Sequence, residues 1–336
     1  MSASETPVTD NLDAEDDTFN AADADIRLRS SDDVTFAVHR CILRWISPFF
    51  ADMLSLPQPE DGEAGMIDMS EDAASHRLLL RFSYPRTLYP EPALTEVLEI
   101  KRAATLALKF DCKPLLQAVE IAITRLSQDS PETAYAIAWE FELGDVLRAA
   151  ARASLHRPWF IDDGREVPEF EDLSSRSLIL LGKYRSAFYA AIKRLDIDES
   201  APHPIWIDKD DIEHARELEV IDPDIDPDGP QCSCGKVMMG FRYTRDPSDY
   251  WTFARLHVHH TPRWWTDFVA HVLADVKKSS IDEAIAKARQ TAQREARQCP
   301  RCSRLLDFDD ALTVTSELLR EEIQRQIEQA QLLPPF

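Results

Sequence analysis

Apolar residues recur with two different periods along this chain, and the switches between them mark its elements. Ile26 and Leu28 alternate with charged neighbours. The polar run Arg29 to Asp33 turns the chain, and Val34, Phe36 and Val38 alternate on the return. Period two on both sides of a polar break predicts a β-hairpin. After His39 the period changes. Ile42, Leu43 and Ile46 have helical spacing, and Ser47-Pro48 has the chemistry of an N-cap and the first position of a second helix. His39 therefore sits at a strand-to-helix joint.

Beyond a Pro-, Gly- and acid-rich loop at "LPQPEDGEAG", Ile67 and Met69 in "MIDMS" alternate as a third short strand. Helical stripes come next. Leu78, Leu79 and Phe82 form one that stops at Tyr84-Pro85. Val97, Ile100, Ala104 and Ala107 form the next. Leu116, Val119, Ile123 and Leu126 form a third, entered through Pro114. Ser130-Pro131-Glu132 starts a helix pair that is expected to break near Gly144, and "SLILLGKYRSAFYAAIKRL" is one further helix or two.

"IDPDIDPDGP" is charged and unhelical, as a linker would be. Past it, Trp265, Val269, Val272 and Val276 line a helix face, with Trp264-Trp265 expected in the core. Ser280 to Glu283 is a capping box. A final amphipathic helix carries Leu319, Ile323 and Ile327. No long internal repeat is visible.

Charge narrows the functions open to these elements. The chain has 336 residues, 38 basic and 60 acidic, for a net charge of -22. Such a surface repels phosphate backbones and anionic lipid. No stretch is apolar enough to span a bilayer, and the first 25 residues carry no Lys or Arg and no apolar core, unlike a leader peptide. A cytoplasmic or nuclear location is expected. No phosphate loop, dinucleotide fingerprint or nucleophile elbow is present, and 8 glycines leave little material for one. There is no positive case for an enzyme.

Three spaced groups of residues fit one known pattern: Asp25-Ile26-x-Leu28, then Phe36-x-Val38-His39-Arg40-x-Ile42-Leu43, then Ser47-x-Phe49-Phe50-x-x-Met53. Together they resemble the BTB/POZ family. The segment "IDMSEDAASHRLLLRFSYPRTLYP", with the helices and paired cysteines behind it, is similar to BTB-containing proteins common in fungi. The resemblance implies an α+β fold, a small sheet flanked by helices, continued by a mainly α-helical extension and a C-terminal helical module. Residues 1–22 are then an acidic disordered tail, 23–128 the BTB/POZ domain, 129–220 the helical extension, 221–231 an Asp/Pro linker and 232–336 the cysteine-containing module. It also implies that His39 is a buried structural residue. A ring at that joint can bond backbone groups that neither strand nor helix satisfies.

Two cysteine pairs are the strongest candidate for bound chemistry. Cys232-x-Cys234 and Cys299-x-x-Cys302 match a closed tetrahedral zinc site with two ligands from each loop. Four reduced thiols, or a redox pair at "CPRC", are the alternatives. His257, His259 and His260 read as a solvated strand face or as an added ligand. The basic stretch "AIAKARQTAQREARQCPRC" reads as a solvated helix face rather than a nucleic-acid contact.

The family resemblance implies a non-enzymatic interaction module that makes homodimers or hetero-oligomers with protein partners through a helical face near Ile42, Leu43, Trp45, Ile46 and Phe50. Trp45 lies off the apolar stripe, so it is expected as an exposed dimer contact, or packed under the helical extension. An adaptor for a cullin-based ubiquitin ligase and a transcriptional regulator are the other readings. "ADMLSLPQPEDG" has no clear apolar-x-Glu adaptor element.

Overall fold

The computed structural model describes residues 14–56, 65–196, 236–242, 256–300, 302 and 308–329. The linker at 221–231, Cys232 and Cys234 lie outside the described residues. Contacts divide the chain into two units, Met1–Ser130 with Ile137–Val146, and Pro131–Ala136 with Leu147–Phe336. No helix among the described residues is long and apolar enough to cross a membrane.

The first unit is built on a four-stranded sheet of order β1-β3-β2-β4. Strands β2 (Ile26–Arg29) and β3 (Val34–Val38) form the expected antiparallel hairpin, with Leu28 opposite Phe36 and both buried. Asp33 takes a φ of 60° at the tip, a left-handed conformation that Asp tolerates. Strand β4 (Met66–Asp68) pairs parallel to β2, its entry helped by Gly65, whose carbonyl accepts from the Arg27 N–H at 2.8 Å.

Strand β1 (Ala14–Asn20) corrects the expected disordered tail over residues 14–20, while residues 1–13 of that tail lie outside the described residues. It pairs parallel to β3, with a register irregularity between Glu15 and Asn20. Phe19 is 1% exposed among Phe36, Tyr84 and Tyr89. Asp16 is buried too. Burial pushes its carboxyl up, but the Phe19 N–H, the Arg77 guanidinium at 2.5 Å and the Thr18 N–H outweigh this and hold it below the usual range. An acidic composition hid one buried aromatic and one paired carboxylate.

Helices close the unit. They are α1 (Arg40–Ile46), α2 (Pro48–Met53), α3 (Ala73–Ser83), α4 (Val97–Lys109) and α5 (Lys113–Asp129). Asp72 caps α3 by accepting from the Ser75 N–H at 2.9 Å, and Asp32 at the hairpin tip accepts from the Ala73 N–H at 2.8 Å. The two acids satisfy N–H groups the helix leaves open. Helix α5 buries Leu115, Val119, Ala122 and Ile123, so its inner face is rotated from the expected stripe, and Leu116 and Leu126 are half-buried.

His76 on α3 is a buried titratable group. Its ring stacks on Phe36 at 5.3 Å, and its Nδ1 lies 3.0 Å from the Asp72 carbonyl, to which it must donate. Burial holds its pKa below the ordinary 6.5. The unfolded chain therefore takes up a proton before the folded one does. Stability falls as pH drops through 6.5 toward the folded-state value. Urea midpoints measured between pH 7 and pH 5 should fall, and a His76→Leu variant should show a shallower slope.

Helix α6 (Pro131–Glu140) and helix α7 (Gly144–Ser154) follow one another with the break where it was expected, at residues 141–143 beside Gly144. Glu142 takes the left-handed conformation, with a φ of 57°, and Gly144 is the first residue of α7. In the second unit α8 (Ser175–Arg194) is a single helix. Its Arg185 is buried. It donates to the carbonyls of Ser154 and Arg157 and to the Tyr189 hydroxyl, and it lies 4.9 Å over the Trp159 ring. A guanidinium there satisfies carbonyls at the end of α7.

Strands β5 (Lys236–Arg242) and β6 (Leu256–Pro262) pair antiparallel. His257, His259 and His260 lie on β6, but their side chains fall outside the described residues. Helices α9 (Arg263–Asp275), α10 (Ile281–Gln298) and α11 (Phe308–Gln329) complete the unit. Trp264 and Trp265 are buried, and the Trp265 Nε1–H donates to Thr315 at 2.9 Å. Ser280 and Glu283 make the expected capping box. The basic stretch lies on α10, where Lys287 pairs with Asp275 at 2.6 Å.

Candidate interaction face

The joint between β3 and α1 is held by Tyr84, not by backbone groups around the histidine. The His39 N–H donates to the Tyr84 hydroxyl oxygen at 3.0 Å, and the His39 Nδ1 lies 2.9 Å from the same oxygen. Burial raises the Tyr84 pKa to about 12, so its hydroxyl keeps a proton to donate. The other ring nitrogen, Nε2, lies 3.4 Å from the Asp23 carboxylate. His39 is half-buried and structural, and it bonds a side chain where backbone partners were expected.

Asp25 does what a cap residue would do for α1. Its carboxylate accepts from the Arg40 N–H at 2.7 Å, and its carbonyl accepts from the Arg40 guanidinium at 3.3 Å. His39, the residue at the N-cap position, makes no side-chain cap bond. Start and end of the hairpin are thus tied to one helix terminus.

Ser47 couples the two short helices to the core. Its hydroxyl accepts from the Phe50 N–H at 3.1 Å, capping α2, and donates to the Phe110 carbonyl. The residue is fully buried. Ser47→Ala removes the cap and leaves the Phe110 carbonyl short of a partner. A loss of about 1–3 kcal/mol in urea unfolding is expected. Phe50 is buried and stacks on Phe110 at 5.2 Å, and Leu43 on α1 is buried as well.

What remains outside is apolar. Trp45 on α1 is 90% exposed, and Phe49 on α2 is 41% exposed while its ring edge meets Phe50 and Phe110 at 5.6 and 5.4 Å. Cys41 is also exposed on α1. Ile42 and Ile46 are half-buried. The helix thus separates its roles by face: Leu43 anchors it and Trp45 points to solvent. A large aromatic held on an anchored helix is the residue type that carries binding energy at protein interfaces.

Of the cysteine set, Cys299 and Cys302 are buried at the end of α10, where the Cys299 N–H donates to the Ala296 carbonyl at 3.2 Å. Cys232 and Cys234 lie outside the described residues. Among the described residues no group of three or more His, Cys, Asp or Glu side chains comes together as a metal site. Two buried thiols at this spacing fit half of a soft-ligand set.

A scan against protein families matches residues 17–127 to the BTB/POZ domain. A search of curated proteins found no match to the chain. The matched region begins inside β1 and ends in α5, so it takes in the sheet, the Tyr84-held joint and the face with Trp45.

Proposed function

Residues 17–127 are a BTB/POZ domain, a protein-interaction module, and from this we propose that the protein is a non-enzymatic scaffold that forms homo- or hetero-oligomers through its α1–α2 face. The observation that carries this reading is Trp45, 90% exposed on a helix whose other side is fixed by Leu43, Asp25 and Ser47. Burying a tryptophan against a partner removes about 150–250 Å² from water. In a two-fold dimer each copy supplies the same patch, so the gain counts twice.

The C-terminal module adds a second surface. In this reading Cys232, Cys234, Cys299 and Cys302 hold a structural zinc that ties the two cysteine loops together. Metal analysis of the purified full chain should give about one zinc per chain, and Cys302→Ser should lose it. Zinc-free protein that unfolds no more readily than the purified form would contradict the site.

Co-expression of two differently tagged full-length copies tests the scaffold. Capture of one tag should retain the other, and a cullin N-terminal region added in excess should not be retained. Retention of the cullin without the second copy would favour the ubiquitin-ligase adaptor reading instead.

A further inference from the structure

His156 joins two parts of the second unit that are far apart in sequence. It lies just past the end of α7, and its Nδ1 is 3.1 Å from the carbonyl of Val276, 120 positions on. A carbonyl only accepts, so Nδ1 carries a proton and donates it. Val276 is fully buried and begins the turn between α9 and α10. That turn is closed by its own bonds, in which the Lys278 and Ser279 N–H groups donate to the Asp275 carbonyl at 2.8 and 3.0 Å. The His156 ring also meets Phe188 on α8 edge to face, with 6.3 Å between centres. The imidazole is thus a polar pin between the α9–α10 turn and the corner of α7 and α8.

The surroundings of this ring suit its neutral form. Arg185 on α8 is held by the Ser154 and Arg157 carbonyls and the Tyr189 hydroxyl, so a permanent charge is fixed beside the loop that carries His156. Lys277 lies 5.9 Å over the Tyr189 ring. The carboxylates near by are engaged with other groups. Asp275 pairs with Lys287 at 2.6 Å, and Glu132 and Asp162 act on Arg185. A proton added to His156 therefore enters a half-buried site that already holds a cation. Burial draws the pKa of His156 down, the Val276 backbone opposes this, the Arg185 charge lowers it further and the Ser279 backbone opposes that, with a net result below the ordinary 6.5. A ring freed from the corner takes up a proton near 6.5, and the docked ring does so only at lower pH. Docking is fully stabilised above 6.5 and weakens as pH falls below it.

We propose that His156 is an acid-sensitive latch: neutral, it pins the α9–α10 turn to the α7–α8 corner, and its protonation frees the turn. The latch acts within the second unit and does not depend on the α1–α2 face. The turn leads into α10, whose far end carries Cys299.

Hydrogen exchange on the full chain at about pH 7 and about pH 5.5, corrected for the intrinsic pH dependence of exchange, tests the latch. The Val276, Lys278 and Ser279 amides are the reporters, because each is hydrogen-bonded at the turn. Their protection should fall by up to about eightfold between the two conditions, the most that one histidine with an ordinary value when free can give. His156→Gln can still donate to the Val276 carbonyl but takes up no proton, so its turn should be equally protected at both. Amides of α3, beside His76, should respond to pH alike in the two proteins, which separates a local latch from acid loosening of the first unit. The magnetic resonance signal of the His156 ring in the unaltered chain is a second reading that needs no variant, and it should titrate below 6.5. Turn amides whose protection is the same at both pH values, an undiminished pH response in His156→Gln, or a ring that titrates at or above 6.5 would overturn the proposal.

Discussion

Phe19→Ala should destabilise the BTB/POZ domain by about 3–5 kcal/mol, the cost of emptying a large aromatic site in a core. Phe19 is 1% exposed and lies 4.7 Å from Tyr89 and 5.6 Å from Tyr84, ring centre to ring centre. Tyr84 in turn holds the His39 joint, so the vacancy loosens the start of α1 as well. Hydrogen exchange on the full chain reads this locally. Amides of β3 and α3 should exchange about several hundredfold faster than in the wild type. A residue in a disordered tail would change stability by no more than about 0.5 kcal/mol. The measurement therefore separates a strand that belongs to the sheet from a tail that does not.

The difference between those two readings shows what a linear pattern can carry. The β2–β3 hairpin, the Ser47-Pro48 helix start, the strand at Met66 and the Ser280 capping box are all local. Their periodicity and cap chemistry lie within a few residues, and the structure has each of them. Strand β1 pairs with β3 across about 20 residues of chain, and Phe19 is its one large apolar residue. Its signal was one aromatic residue, and composition outweighed it. Asp16 and Arg185 were illegible for a related reason. A charged residue reads as surface until its partner from a distant element is known.

The exposure of Trp45 was more legible than the contacts that support its helix. Trp45 stood off the apolar stripe of α1, which left it exposed or packed under the helical extension, and the structure has it exposed. Asp25 as the cap of α1 was not visible, because its partner, the Arg40 N–H, is a backbone group 15 positions away. Neither was the Tyr84 hydroxyl behind His39, 45 positions away.

Trp45→Ala should weaken self-association by about a thousandfold while leaving the fold intact. Truncating a central interface tryptophan costs about 2 kcal/mol or more. A two-fold contact loses it from both copies, which makes about 4 kcal/mol, or three decades in Kd. The folded monomer loses little, because the side chain is 90% exposed and alanine is the best helix former. Thermal melting of the variant, taken at concentrations where both proteins are monomeric, should match the wild type within about 0.5 kcal/mol.

Light scattering behind size exclusion, run on the full chain and on Trp45→Ala across a concentration series, addresses the scaffold most directly. One chain weighs 38.3 kDa. The wild type should elute at twice that mass or more, and the variant should fall to a single chain at the same concentration. A wild-type protein that stays at one chain mass throughout, or a Trp45→Ala variant that assembles as the wild type does, would contradict oligomerisation through this face.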